Sequence, residues 1–414
     1  MAENKMLTVV DVGSTKIATL TCEANASSER GYSVVGVGVA PAAGIRRGQV
    51  INVGDATKAI QESLAGAVHT SGFKTTNVLM SISGAHIDSQ NNHGAVAIGR
   101  GDEGVSEDDI QRGLEAAQAI TVPNNRDILH VIPRHFKVDD QDGVRNPTNM
   151  LGFRLEVQAH IVTCATTAMQ NLLKCANGAG LQVDELVLAP LASSQAVLTS
   201  TEKEMGSILV DMGGGTTTLA VYIDGAPWHS HVLEIGGSHF TSDLAMVLRL
   251  PMEVAEQLKV QFGHANPNDV SADQLVDIAG FGDEPKVRVA KREIADILQA
   301  RAEELFTMIE QEIKRSGYDG LLPAGLVVTG GGSQLPGVRD VARNVVNRPV
   351  RLAKPMNLVG LTDSIQTPAF SAAVGLLDWG FMSMFHAKPS AKVKRTGKGK
   401  VRDWLNNLLP KREG

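Results

Sequence analysis

The stretch DMGGGTTTLAV, Asp211 to Val221, decides how this chain folds. It follows SILV, an apolar run that reads as a buried strand, and it sets one acid ahead of three glycines and three threonines. A strand that ends in a carboxylate and then gives up its side chains has two explanations. Either the turn is tight for packing reasons, or an anion comes close to the backbone, with N–H groups and hydroxyls lining its approach. One copy leaves both open.

A second copy lies near the start. LTVVDVGSTKIATLTCEA, Leu7 to Ala24, repeats the order of apolar strand, Asp11, Gly13, Ser14, Thr15 and alternating strand. The parallel continues outward. The first copy runs through YSVVGVGVA to a helical pattern, DATKAIQESLAGAVHTSG, and then to the strand NVLMSIS. The second runs through VYIDGAPWHSHVLEI, where Asp224-Gly225 signals a hairpin turn, to GGSHFTSDLAMVLRL, a helix with an expected Ser or Thr cap. The chain therefore divides into two related halves, each opening on a hairpin whose turn carries Asp-x-Gly.

Between the halves' landmarks the pattern changes. Residues 84–160 hold a capped amphipathic helix from Ser106, SEDDIQRGLEAAQAI, and the strand-like runs ILHVIPRHFKV and RLEVQAHIVTCA, which together make a compact α+β insertion. The first half is then expected at 1–83, resuming at 161–200 and at about 350–386. The second occupies 201–250 and 324–349, with a mostly helical piece at 251–323. That piece includes PMEVAEQLKVQFG, bounded by Pro and Gly, and the long periodic helix REIADILQARAEELFTMIEQEIKRSG. Residues 387–400 are rich in Lys, Gly, Ser and Thr and read as a flexible linker. The 17-residue run AFSAAVGLLDWGFMSMF carries Asp378 and is too short for a confident membrane span, so a buried helix is expected.

With 414 residues, 43% hydrophobic and only 4% aromatic, the chain can fill several aliphatic cores. Three cysteines, Cys22, Cys164 and Cys175, lack metal or redox spacing and are expected as buried thiols of a reducing compartment. MAENKMLTVVDVG has no signal-peptide layout. From Lys388 onward nine Lys/Arg face two Asp/Glu in a chain of net charge −6, so an acidic body precedes a basic tail suited to an anionic surface.

Two Asp-x-Gly hairpins facing each other would grip a phosphate chain from both sides. Two carboxylates cannot touch phosphate directly, so a hard cation such as Mg²⁺ belongs between Asp11 and Asp211, with waters. A third glycine turn, Gly330, Gly331, Gly332 and Ser333 in VVTGGGSQLPG, would let a base and ribose lie against a helix start. In this order the three motifs resemble the actin/Hsp70/sugar-kinase superfamily. Within it, the insertion, AEQLKVQFG and the basic tail resemble the FtsA family of bacterial cell-division proteins over essentially the whole chain.

That resemblance implies an actin-like duplicated α/β fold, two mixed sheets flanked by helices around a nucleotide cleft, with ATP and Mg²⁺ as ligands. It implies phosphate contacts from Asp11, Gly13, Ser14, Thr15, Lys16, Asp211, Gly213, Gly214, Gly215 and Thr216, and adenosine contacts from Glu256 and Lys259, against the plainer reading of that spacing as an exposed helical ion pair. Hydrolysing relatives place a Glu before Pro, or use a nearby Gln; here Ala189 precedes Pro190 and Gln195 is a weak substitute. Slow hydrolysis at most is expected, because a general base's contribution of ~10²–10⁴ is missing.

The resemblance further implies a polymerising adaptor that tethers the FtsZ ring to the cytoplasmic face of the membrane at midcell and recruits later division proteins, with no nucleic-acid partner. The FtsZ C-terminal peptide is expected on 251–323, at Lys291, Arg292 and Arg301 near Ile297 and Leu298. The tail 401–412 places Val401, Trp404, Leu405, Leu408 and Leu409 on one apolar stripe, a short membrane-interface helix. Rival functions are a sugar kinase, which needs a catalytic Asp that is not evident, and a pilus-assembly relative, which has no need of such a tail. An Hsp70-like chaperone needs a substrate domain beyond the last packed helix. The histidine pairs of HVIPRH and HSH have no Cys, Asp or third His at ligand spacing and are expected as ordinary strand residues. GVGVAPAAG fails the dinucleotide spacing.

Overall fold

The computed structural model describes residues 5–99, 103–271, 273–278 and 287–386; the expected linker and the 401–412 stripe lie outside them. The chain opens with β1 (Met6–Val12), β2 (Lys16–Ala24) and β3 (Tyr32–Pro41), followed by a short hairpin, β4 (Ile45–Arg46) and β5 (Gln49–Val50). Helix α1 (Val53–Ser71) follows, started by Asn52, whose side chain accepts from the Asp55 N–H, and stopped by left-handed Gly72; β6 (Asn77–Ile82) completes this run.

The insertion comprises β7 (Ile87–Ala97), α2 (Glu107–Gln118), β8 (Arg126–Val138), β9 (Gln141–Val144) and β10 (Arg154–Ala165), in sheet order β7-β10-β8-β9 with α2 over one face. Ser106 caps α2 as expected, in a reciprocal box with Asp109. The apolar alternation of β10 buries Leu155, Val157 and Ile161 against Ile110 and Leu114, a core separate from the other two. Strand β10 runs to Ala165, past the expected boundary at 160, because it stays paired to β7 and β8 along its whole length.

The first half resumes with α3 (Thr166–Gly178), β11 (Gln182–Leu188), α4 (Ala189–Val197) and α5 (Ser200–Met205). The second half begins with β12 (Ser207–Met212), β13 (Thr217–Ile223), β14 (Ala226–Leu233) and α6 (Gly237–Leu248). Then come α7 (Met252–Phe262), a hairpin of β15 (Leu275–Ile278) and β16 (Val287–Ala290), and the long α8 (Lys291–Ser316). Strand β17 (Leu326–Thr329), α9 (Val338–Val346) and β18 (Val350–Leu352) close the sheet. Since β18 pairs with β17, the return to the first half begins after Leu352, slightly later than expected.

The duplication is visible in the sheets. The first has order β11-β6-β1-β2-β3 and the second β14-β13-β12-β17-β18, so each half runs third, second, first, fourth, fifth by its own strand count. In both, an antiparallel meander adjoins parallel strands. The two acids also hold equal registers: Asp11 pairs with Ala18 and Asp211 with Thr218. The fold is actin-like, with mixed sheets flanked by helices.

The last helix, α10 (Ser371–His386), lies across the first half, with Ala373, Val374, Leu376 and Leu377 fully buried. Its one acid, Asp378, accepts from Tyr32 Oη at 2.7 Å and from the Arg30 guanidinium, which also reaches the carbonyls of Ala196 and Met356. Paired in this way, the carboxylate is tolerated inside an apolar helix. No helix among the described residues is long and apolar enough to cross a membrane. The three cysteines are buried free thiols, and burial pushes Cys22 up to about 12.

The expected Ser/Thr cap of α6 is not what starts that helix. Its N-cap is Gly236, and the N–H groups of Gly237 and Ser238 donate to the carbonyls of Gly213 and Gly214 at 2.9 and 2.8 Å. The glycine hairpin supplies acceptors where a side chain would otherwise cap.

Candidate functional site: the cleft between the hairpins

Each hairpin closes with one matching bond: Gly13 N donates to Lys16 O at 3.1 Å, and Gly213 N to Thr216 O at 2.9 Å. The two tips touch. A Cβ on Gly214 would stand 2.2 Å from Thr15 Cγ2, so only glycine lets the hairpins meet there. Gly330, at φ 85°, is constrained twice over: its conformation favours glycine, and a Cβ would lie 2.3 Å from Asp211 Oδ1.

Between the hairpins lies a cleft whose empty space, open solvent at its mouth included, is about 820 Å³. Of the residues singled out in the sequence, Asp11, Gly13, Ser14, Thr15, Lys16, Asp211, Gly213, Gly214, Thr216, Gly330 and Gly331 line it. Gly215, Gly332 and Ser333 do not line it. Gly215 packs on Ser14, and the Ser333 hydroxyl is turned back onto Gly330 O. Gly48 and Ser83, to which the sequence did not point, also line the cleft, as do Thr218 of the glycine-threonine run and Pro368, Ala369 and Ala372. Gly48 enters on the β4–β5 turn, where its N–H donates to Ser14 Oγ at 2.9 Å.

The electrostatics are unbalanced. Burial raises the Asp11 carboxyl above its ordinary range, against a 2.7 Å hydrogen bond from Ser81 and the charge of Lys16. Burial likewise raises Asp211 to about 6, opposed by a hydrogen bond from Ser193 and reinforced by Asp11. Burial lowers Lys16 to about 8, and its Nζ sits 3.1 Å over the Phe370 ring with no hydrogen-bond acceptor. Ser83 Oγ and Thr218 Oγ1 are also buried without partners, so three orphaned polar atoms line one cleft. Such groups are costly unless a ligand satisfies them. A polyanion would pair Lys16 and the two hydroxyls, and a divalent cation would stabilise both carboxylates.

The remaining expected site residues lie elsewhere. Lys259 Nζ donates to Glu256 at 2.7 Å, to Thr241 Oγ1 at 2.8 Å and to Gly237 O at 3.0 Å, which ties α7 to the start of α6; neither residue lines the cavity. Gln195 accepts from Lys203 Nζ at 2.8 Å and is absent from the cleft wall, which carries the Ala189 methyl instead. Arg301 is spent on Asp243 of α6, with Nη2 to Oδ1 at 2.8 Å, and on Glu304. Leu298 is fully buried, whereas Arg292 is exposed and Lys291 lies half-buried over Phe262.

His130 Nε2 accepts from the Leu188 N–H at 3.0 Å, a satisfied strand histidine. The His-Ser-His pair has a partner beyond its own strand. His229 and His231 do have an acidic partner, Glu312 of α8, which local spacing could not reveal.

Comparison with known proteins agrees with this architecture. A family model described as "Cell division protein FtsA" matches residues 208–375, and one described as "SHS2 domain inserted in FTSA" matches 84–163. A "Cell division protein FtsA" of Pseudomonas aeruginosa is 40% identical over 91% of this chain and 89% of its own. Among solved structures, a "PilM-PilN type IV pilus biogenesis complex" superposes with TM-score 0.65 at 17% identity, covering 90% of this chain and 98% of that one. MreB 5 of Spiroplasma citri bound to AMPPNP does so with TM-score 0.54 at 12% identity, covering 90% and 95%.

Proposed function

The chain belongs to the cell division protein FtsA family, and from that premise we propose that it is an ATP-binding, polymerising adaptor that tethers the FtsZ ring to the cytoplasmic face of the membrane. The observation that carries the nucleotide is the trio of orphaned atoms, Lys16 Nζ, Ser83 Oγ and Thr218 Oγ1, in one cleft with two desolvated carboxylates. The starts of α4 and α10, at Ala189 and Ala372, also reach this wall and bring their positive dipole ends to it.

In this reading Lys16, the hairpin N–H groups and the hydroxyls hold the phosphates, and Gly330 and Gly331 admit the adenosine. Mg²⁺ would supply charge neutralisation between the phosphates and the carboxylates of Asp11 and Asp211. The cleft wall carries the Ala189 methyl where hydrolysing relatives place an acid, so in this reading the nucleotide acts chiefly as a structural ligand, hydrolysed slowly at most. The helical piece at 251–323 receives the FtsZ peptide, with Arg292 and Lys291 as its basic contacts and Arg301 as internal support. Self-association then gathers many tails, whose apolar stripes bind anionic lipid weakly one by one and firmly together. Recruitment of later division proteins at midcell follows from the same assembly.

Calorimetry tests the cleft: Asp211→Ala should weaken Mg-ATP binding about tenfold or more, the scale of one lost charged contact, and unchanged affinity would remove the nucleotide from this site. Co-sedimentation with anionic liposomes tests the tail. Trp404→Glu should leave the protein in the supernatant while ATP still binds; equal pelleting of both forms would discard the tail as anchor.

A further inference from the structure

His229 and His231 lie two residues apart on β14, so they share one face of the strand. Their rings are stacked, with centroids 6.3 Å apart and planes 9° from parallel. Glu312, in the last turns of α8 and only 7% exposed, points its carboxylate at both. Oε1 lies 2.7 Å from His229 Nε2 and 3.6 Å from His231 Nδ1. One donor atom from each of the three lies within 4.8 Å of the others. We propose that this trio is a binding site for one transition-metal dication, of the class of Zn²⁺.

The donor chemistry sets the class. Two imidazoles and one carboxylate suit Zn²⁺ rather than Mg²⁺ or Ca²⁺, which prefer all-oxygen shells. Metal–nitrogen and metal–oxygen bonds of about 2.0–2.2 Å put neighbouring donors a little over 3 Å apart in a tetrahedral site. The His229 contact must therefore open slightly and the His231 contact close slightly. Side-chain rotation is enough, because His231 is 31% exposed and free to turn, and the same exposure leaves a fourth position for water. The His229 Nε2–H now donates to Oε1 in the place a metal would take. Binding moves that proton to Nδ1 of the neutral ring, and no co-reactant is needed.

Arg315 completes the arrangement. Its Nε donates to Glu312 Oε2 at 2.7 Å and its Nη2 to Oε1 at 2.9 Å. Burial works against ionising Glu312, but the hydrogen bonds from Arg315 and His229 outweigh it and hold the carboxyl below its ordinary range. Arg315 can keep Oε2 while releasing Oε1, the role of an outer partner that orients a ligating carboxylate. Its guanidinium is 67% exposed, so solvent weakens, without removing, its repulsion of a bound cation. The site also lies at a seam. Strand β14 receives the insertion through Ser89 Oγ to Ser230 O at 2.8 Å and Asn91 Nδ2 to Trp228 O at 2.9 Å. A metal here would clamp the strand that carries the insertion to helix α8.

The test uses the full chain, stripped with a chelator and titrated with Zn²⁺ against a chromophoric competitor, with Co²⁺ absorption reporting the coordination sphere. One equivalent should bind. His231→Gln should weaken it by at least the roughly 10–100-fold that loss of even an outer partner costs, while His69→Gln, on the distant helix α1, should not change it. Glu312→Gln should behave like His231→Gln, and the partly exposed His231 keeps the test valid if the buried substitution unfolds the chain. Absence of a bound equivalent, or equal affinity in His231→Gln, would leave the trio as a hydrogen-bonded network and overturn the proposal.

Discussion

The two hairpins share a turn, a register and a place in their sheets, yet they differ in what they bring to the cleft. The first ends its turn in Lys16, a buried cation; the second ends in Thr216 and carries three consecutive glycines. Their acids are held differently too. Asp11 is bonded by Ser81 from β6 of its own half, whereas Asp211 of the second half is bonded by Ser193 from α4 of the first. Duplication accounts for the paired backbone cradle. The divergence afterwards accounts for the charge, which came from one copy, and for the joint, which crosses between copies.

Lys16 against Thr216 gives the largest contrast. Lys16→Met should cut Mg-ATP affinity about 10–100-fold, the range of a lost charged hydrogen bond, whereas Thr216→Val should cost under about tenfold. Equal losses in calorimetry would mean that the hairpins contribute symmetrically.

The acids come next. The Asp211 carboxyl, raised to about 6, keeps its proton in the folded chain between roughly pH 4 and 6 while the unfolded chain has released it. Folding is therefore favoured at the acid end, and that contribution fades as pH rises through about 6. Without nucleotide, stability should fall by about 1–3 kcal/mol across this window, and Asp211→Asn should flatten the curve. Denaturant midpoints from pH 4 to 7 read this directly; a slope that persists in Asp211→Asn assigns it to another group.

The serines sharpen the comparison with the smallest effect. Ser193→Ala should cost about 1 kcal/mol and move the Asp211 step to higher pH, since it removes a bond that favours the carboxylate. Ser81→Ala should leave that step in place, because it touches Asp11. If both serines move it alike, the carboxylates act as one group.

What the sequence made legible was local. Asp-x-Gly turns and glycine runs announce themselves because their backbone demands do not depend on distant partners, and most of the cleft wall was found that way. Ser81 was not, since it faces Asp11 only because β6 pairs in parallel with β1, with Val10 opposite Met80. Ser193 had a faint signal, a hydroxyl pair inside the apolar run APLASSQAVL, which implies buried partners. Arg301 was expected as a peptide contact from the resemblance and its apolar neighbours; its pairing with Asp243, which sits on another helix, could not be read from that spacing. Glu312 was missed beside His-Ser-His for the same reason. The swap of a helix cap for hairpin carbonyls at Gly236 was equally invisible, being a contact between elements.

Helix α10 has a mechanical meaning. Its first turn is at the cleft, where Ala372 lines the wall and Ser371 Oγ lies 2.6 Å from Thr329 Oγ1 of the second half's sheet. Sixteen residues at about 1.5 Å each make a rod of roughly 24 Å, and residues 387–414 continue from its far end. Along the way Asp378 is bolted through Arg30 and Tyr32 to the first half. A pull applied beyond His386 would thus meet that bolt as shear before it reached the cleft, so traction on the C-terminal segment would load the first half first.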